Sequence, residues 1–386
     1  MKLQSLAIAI VLLVSACGGS DNKSNSPSTS NNSWTPPVVN SYQLENTDQL
    51  LAQSENKLSN LAIDDFFEQS FLMLANRGMQ DEYSEGYIDG TGLQLDNVSD
   101  AYHAQTTALT ELILSILLSY QREQLTPKDK MSFDIYKTSL ETEIERANYT
   151  NFHFPLNLMT GIQDNTEFYF SDLIPITNKT QAENYIYLLN QLERRFNQII
   201  EILDNRENAG IIEPRETLSF TINRIKSYAN SSGNSNPYYQ WFDAKLEQLT
   251  NVTATEKQAL RSNLLQVIEQ KVIPSYQSLA SKAELQLTNA PQNIGFGQFD
   301  GGDDYYAFEL KRHTTLELTP DEVHLLGINE LTRVHNEMRR LFDELGYPQE
   351  ETIAQLYERV DNDGGIISAN EAKSFYENII EKAYAL

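Results

Sequence analysis

Five histidines and a single cysteine are the side chains best suited to metal or nucleophile chemistry in this 386-residue chain: His103, His153, His313, His324, His335 and Cys17. A catalytic zinc needs three protein ligands, usually with two histidines one helical turn apart. No His-Glu-x-x-His occurs. His324 and His335 share a helix face but stand about 16 Å apart at the helical rise, too far for one ion. His335 and Glu337 point to different faces. These histidines read as caps or solvent-facing side chains, and no metal ligand is assigned. Nucleophile and phosphate motifs are missing too: no Gly-x-Ser-x-Gly elbow, no P-loop, no Gly-x-Gly-x-x-Gly. Gly295-Phe296-Gly297 reads as a loop. Asp361-Asn362-Asp363-Gly364-Gly365, with Glu371 further on, approaches a calcium loop. Setting Gly365 at the required turn, however, puts Val360 where an oxygen ligand must stand. An acidic turn between two helices is the better reading. Pairs such as Asp64-Asp65 and Asp303-Asp304 are expected by chance among 54 acids, so no glycosidase-type pair and no catalytic residue is assigned.

Cys17 has a more definite context. Leu6 to Val14 is an apolar run of signal-peptide length, too short to span a bilayer. Val14-Ser15-Ala16-Cys17 then resembles the lipobox of bacterial lipoproteins, in which small residues admit the peptidase and the thiol takes a diacylglycerol. Residues 1–16 are therefore a lipoprotein signal peptide, and Cys17 is the lipidation site. Residues 18 to about 40 are rich in Ser, Asn, Gly and Pro and cannot bury enough surface to order themselves. Residues 17–43 thus form the lipidated cysteine and a flexible tether. Gly18, where an Asp would favour inner-membrane retention, points to the outer membrane, facing the periplasm or the exterior. The expected partner is a membrane, through the lipid on Cys17.

Composition supports an exported aqueous body. The formal net charge is −25 and 40% of residues are hydrophobic, enough for a core. A mean hydropathy of −0.45 excludes a polytopic membrane protein. A surface this acidic repels phosphate backbones, so nucleic acid is excluded as a partner. With one cysteine, no disulfide can form within the chain.

The elements that would position any site read as helices from Leu44 onward. Leu188, Leu189, Leu192, Phe196, Ile199, Ile200 and Leu203 form one apolar stripe, closed by Gly210, and Pro214 opens the next helix. Thr253 and Glu256 make a capping box before Leu260, Leu264, Leu265, Ile268 and Val272, and Pro274 should kink or end that helix. Thr319-Pro320-Asp321-Glu322 is a strong helix start, and its stripe runs through Leu331, Val334, Met338 and Leu341 to a stop at Gly346 and Pro348. A helix follows from about Glu350 to Val360. Only Asn157 to Ile174 offers irregular or short extended structure. The expected fold is mostly α, a large helical domain over 44–386. The last helix, capped by Ser368 and Glu371, carries an apolar face of Phe375, Tyr376, Ile379 and Ile380. Spacing alone leaves two readings even: a closing element docked on the body, or part of a larger fold.

One stretch is more specific. Gly301-Gly302-Asp303-Asp304-Tyr305-Tyr306, then Leu310, Arg312 and Thr314-Thr315, then Leu318-Thr319-Pro320-Asp321-Glu322-Val323-His324-Leu325-Leu326-Gly327, resembles the signature of the DUF885 family. Arg333, Val334, Glu337 and Met338 continue the similarity, with Ser132-Phe133-Asp134, Leu140, Gly210 and Pro214-Arg215 as comparable elements upstream. The resemblance covers roughly 60–386. It implies a bacterial lipoprotein related to zincin-like metallopeptidases, with a His-Glu-x-x-x-x-His-His-like metal helix downstream of the segment present here. Zinc is therefore implied for the full-length family, with no cofactor and no metal ligand in this chain. The same resemblance implies that the fold is incomplete at the C-terminus and that these residues form the N-terminal helical wall of a peptide-binding cleft. Tyr305, Tyr306, Arg312, Thr314 and Thr315 are the candidate substrate contacts: tyrosine can stack or donate, and arginine can grip a peptide carboxylate. The competing and slightly favoured reading of the same residues is core and cap duty, tyrosine packing and threonine capping. The alternative is a non-catalytic helical binding or scaffold lipoprotein of the cell envelope.

Overall fold

The computed structural model describes residues 44–78, 94–365 and 367–384. The segments expected to be signal peptide and tether, with Cys17, lie outside the described residues. The fold is mostly α-helical, with no strand among the described residues. No described helix is long and apolar enough to cross a membrane. The chain divides into two compact units, one ending at Tyr306 and the other starting at Ala307.

Unit 1 begins with α1 (Thr47–Leu58), α2 (Ile63–Ala75), α3 (Asp100–Leu117) and α4 (Pro127–Arg146), which enclose a small core of Leu58, Phe66, Phe67, Leu109, Ile113, Leu117, Phe133 and Leu140. Three of the four starts are set by a capping side chain. Asn46, Ser99 and Thr126 accept from the backbone at Gln49, Tyr102 and Asp129, satisfying donors that a helix start leaves unpaired.

The larger core is held by α5 (Ile162–Phe168), α6 (Lys179–Leu189), α7 (Leu192–Asn208), α8 (Arg215–Ala229), α9 (Pro237–Glu247), α10 (Ala254–Val267) and α11 (Ile273–Asn289). The stripe from Leu188 to Leu203 spans two helices rather than one, because the chain breaks at Asn190-Gln191. Gln191 is buried there and its Oε1 accepts from the Leu95 amide at 3.1 Å. Pro274 does not end its helix. A five-residue π-helical stretch, Ile268–Val272, joins α10 to α11, and Ile273 N–H bonds Ile268 O. The wider turn absorbs the missing proline donor. Asn157 to Ile174 is likewise helical in its second half, where α5 runs into a π-helical Tyr169–Leu173.

Unit 2 holds most of α12 (Gly302–Thr314), then α13 (Pro320–Glu344), α14 (Ile353–Gly364) and α15 (Ala369–Tyr384). Capping boxes start α13 at Thr319–Glu322 and α14 at Thr352–Gln355. Asp361 to Gly364 complete the last turn of α14, and Tyr347 Oη donates to Asp363 Oδ2 at 2.9 Å. Among its described residues only Phe308, Phe342 and Leu356 are buried apolar side chains. The aromatic contacts of Phe342 are Tyr347 and Tyr357, at 5.8 and 6.2 Å between ring centroids.

Candidate functional site

The signature segment starts on two glycines that no other residue could replace cheaply. Gly301 has φ +76°, a conformation that penalises a Cβ, and a Cβ on Gly302 would lie 1.8 Å from the Phe296 carbonyl oxygen. This turn aims α12 so that Tyr305 enters an aromatic nest. Its ring stacks on Phe152, with centroids 5.0 Å apart and 9° between planes. It also meets Phe296 edge-on at 4.8 Å, with Tyr149 at 5.7 Å. Tyr306, the next residue, is 49% exposed.

The unit-2 candidates hold the local chain. Arg312 donates to the Glu309 carboxylate one turn back, Nε to Oε1 at 3.2 Å and Nη2 to Oε2 at 2.7 Å, and touches His313 Nε2 at 2.9 Å. Thr314 Oγ1 donates to Leu310 O at 2.7 Å and accepts from Leu316 N at 3.2 Å, which closes α12. Thr315 has φ +60°, and its hydroxyl donates to Thr314 O at 2.6 Å. Thr319 and Glu322 complete their reciprocal cap, and these hydrogen bonds hold the Glu322 carboxyl below its usual range.

The upstream signature residues also pack or pair. Phe133 and Leu140 lie in the small core, and Asp134 accepts both Nε and Nη2 of Arg122 at 2.7 and 2.6 Å. All five histidines are exposed, and among the described residues no group of three His, Cys, Asp or Glu is placed to hold a metal ion. The described residues thus offer no fit for the zinc that the resemblance implies.

The surface of unit 2 carries two exposed apolar stripes. Along α13 and its C-cap, Leu331, Val334, Leu341 and Leu345 recur at spacings of three, seven and four on one face and are 52%, 36%, 45% and 70% exposed. On α15, Phe375, Tyr376, Ile379 and Ile380 are 49%, 65%, 46% and 52% exposed. Spacing marks both stripes, and for α15 it leaves open whether the face docks on the body or belongs to a larger fold. Contiguous exposed apolar surface of this kind marks an interaction face, with covering worth about 1 kcal/mol per half-exposed side chain.

The described residues make a multi-helix protein in which a glycine turn leads into α12 and a proline-started helix follows. The family described as bacterial proteins of unknown function, DUF885, matches residues 82–385, and the chain belongs to that family. No curated protein matches the chain. Among solved structures, the chain is similar to a candidate lipoprotein from Colwellia psychrerythraea, at 20% identity and a TM-score of 0.68. That match covers 81% of this chain but 54% of the other, so the chain spans about half the length of its solved relative.

Proposed function

We propose that this chain is the helical wall of an exported cell-envelope lipoprotein, anchored through Cys17, whose apolar stripes on α13 and α15 are covered by further helical polypeptide of the same fold. The observation that carries the reading is the uncovered stripe Leu331, Val334, Leu341 and Leu345 in a unit with three buried apolar side chains among its described residues. The solved relative has nearly twice the matched length, which is enough polypeptide for such a cover. The lipobox and the relative's lipoprotein description support the anchor, and Gly18 supports the outer membrane.

The wall would line a peptide-binding cleft, with Tyr306 exposed and Arg312 available to a peptide carboxylate if it exchanges Glu309 for substrate. In this reading zinc and its general base belong to polypeptide outside these residues, and this chain supplies binding without catalysis. The test is the mass and zinc content of the native lipoprotein. A product heavier than 44.0 kDa that holds zinc supports the reading; one of this chain's mass, metal-free and monodisperse, supports the non-catalytic scaffold instead.

A further inference from the structure

The corner between α7 and α8 contains an acid where packing calls for an aliphatic residue. Gly210, at φ +77°, ends α7, with Gly210 N bonded to Glu207 O at 2.9 Å and Ile211 N to Arg206 O at 2.9 Å. Ile211, Ile212, Glu213 and Pro214 that follow are all buried, unlike most connections, which run over the surface. Glu213 is 7% exposed, and its Oε2 has no hydrogen-bond partner. Beside it lies a cavity of about 10 Å³, lined by Leu156, Leu203, Arg206, Leu218 and Gln286, with room for roughly one water.

The nearby charges are already committed. Arg206 donates to the carbonyls of His153, Ile202 and Thr150 at 3.1, 3.3 and 2.7 Å, and pairs with Asp100 of α3 at 3.6 Å. Gln286 of α11 donates to Leu203 O at 2.9 Å and to Glu207 Oε2 at 3.2 Å, while Lys282 holds Glu207 and Asp204. Arg215 of α8 reaches Thr288 O at 3.3 Å. An ionised carboxylate in this setting would be buried without a counter-ion, which is costly unless the group takes up a proton.

We propose that Glu213 and the adjoining cavity form a one-water site: the neutral acid points its free oxygen into the pocket and holds a water there, and losing the proton loosens the α7–α8 corner. Burial pushes the Glu213 carboxyl up to about 8, partly opposed by the Thr217 hydroxyl. The direction of the linkage follows. Stability from the neutral acid is fully present below the ordinary glutamate value of 4.5 and is lost as pH rises towards 8. The acid is a stability cost at neutral pH that Gln, equal in shape and uncharged, does not carry.

The test compares the full chain with Glu213→Gln across pH 5 to 9. The parent's folded-to-unfolded ratio should fall roughly tenfold per pH unit over the rising-charge range relative to the variant, whose profile lacks that slope. Infrared spectroscopy at neutral pH should show a protonated-carboxyl stretch in the parent that Glu213→Gln removes. Water-relaxation dispersion should show a long-lived internal water that Glu213→Leu loses. Coincident pH profiles overturn the proposal, as does a missing carboxyl band in the parent, which needs no variant to fold, or an internal water that survives Glu213→Leu.

Discussion

The hydroxyls of Tyr238 and Tyr276 meet at 2.6 Å in the larger core of unit 1, and neither ring has any exposure. Tyr185 Oη donates to Tyr238 O at 3.1 Å, and Phe196 meets Tyr276 edge-on at 4.8 Å. Three buried tyrosines in a helical core are tolerable because their polar ends reach one another or the backbone. Tyr276→Phe should leave the Tyr238 hydroxyl without its partner and cost about 1–3 kcal/mol, read from urea denaturation. A loss below the error of the fit would show that the pair contributes nothing.

Burial raises the phenol pKa of Tyr185, Tyr238 and Tyr276 above the ordinary 10.0. Their contribution to stability is fully present below pH 10.0 and is lost as pH climbs beyond it, because only the unfolded chain ionises readily there. Phenolate absorbance should therefore show a late fraction that appears together with loss of circular dichroism. A smooth titration of all tyrosines before unfolding would contradict the packing described.

Two glycines of the signature should respond in opposite directions. Gly302→Ala drives a methyl into the Phe296 carbonyl and should cost at least about 2 kcal/mol and weaken the nest around Tyr305. Gly327 lies in α13 with open space where a methyl would sit, nothing coming within 4 Å, so Gly327→Ala should gain about 0.5–1 kcal/mol of helix stability. Thermal melting of the two variants decides; equal shifts would refute the distinction.

Arg312→Ala should change stability by less than about 0.5 kcal/mol, since its pair with Glu309 lies near the surface and within one helix. If the residue grips a peptide carboxylate, the same variant should weaken binding of peptides with a free C-terminus while sparing amidated ones. Equal affinity for both peptides in parent and variant would confine Arg312 to its local role.

Much of the fold was legible because helix starts are local chemistry. The boxes at Thr253–Glu256, Thr319–Glu322 and Ser368–Glu371 form as their spacing requires, and Gly210 takes the positive φ expected of a helix stop. Most of what spacing missed depends on distant partners. The break at Gln191 exists because its side chain serves the Leu95 amide, a residue that lies 96 positions away. The π-helical stretch before Pro274, a local adjustment, lets α10 run into α11 through the proline, with Ile268 O taken by Ile273 N–H. Glu213 was invisible for the same reason as the break at Gln191: its cavity is lined by Leu156 and Gln286, far off in sequence. The candidate site was legible as a motif, and so was the competing role of its residues: Thr314 caps its helix and Tyr305 packs, while the Arg312–Glu309 pair needed the structure.

The anchor is tested by Cys17→Ser, which should move the protein from the membrane fraction to the soluble periplasmic or extracellular fraction. Retention in the membrane would point to another attachment.

The central claim is that the apolar face of α13 is covered in the native protein. With Cys17 the chain's one cysteine and, on the proposed anchor, blocked by lipid, Leu331→Cys or Leu341→Cys supplies a single reactive thiol on that face. Its maleimide labelling in the native envelope-borne protein can be compared with Leu118→Cys, a reference in unit 1 that is 50% exposed. The account predicts slow labelling on α13 that reaches the reference rate only after denaturation. Labelling as fast as Leu118→Cys in the native protein would contradict it.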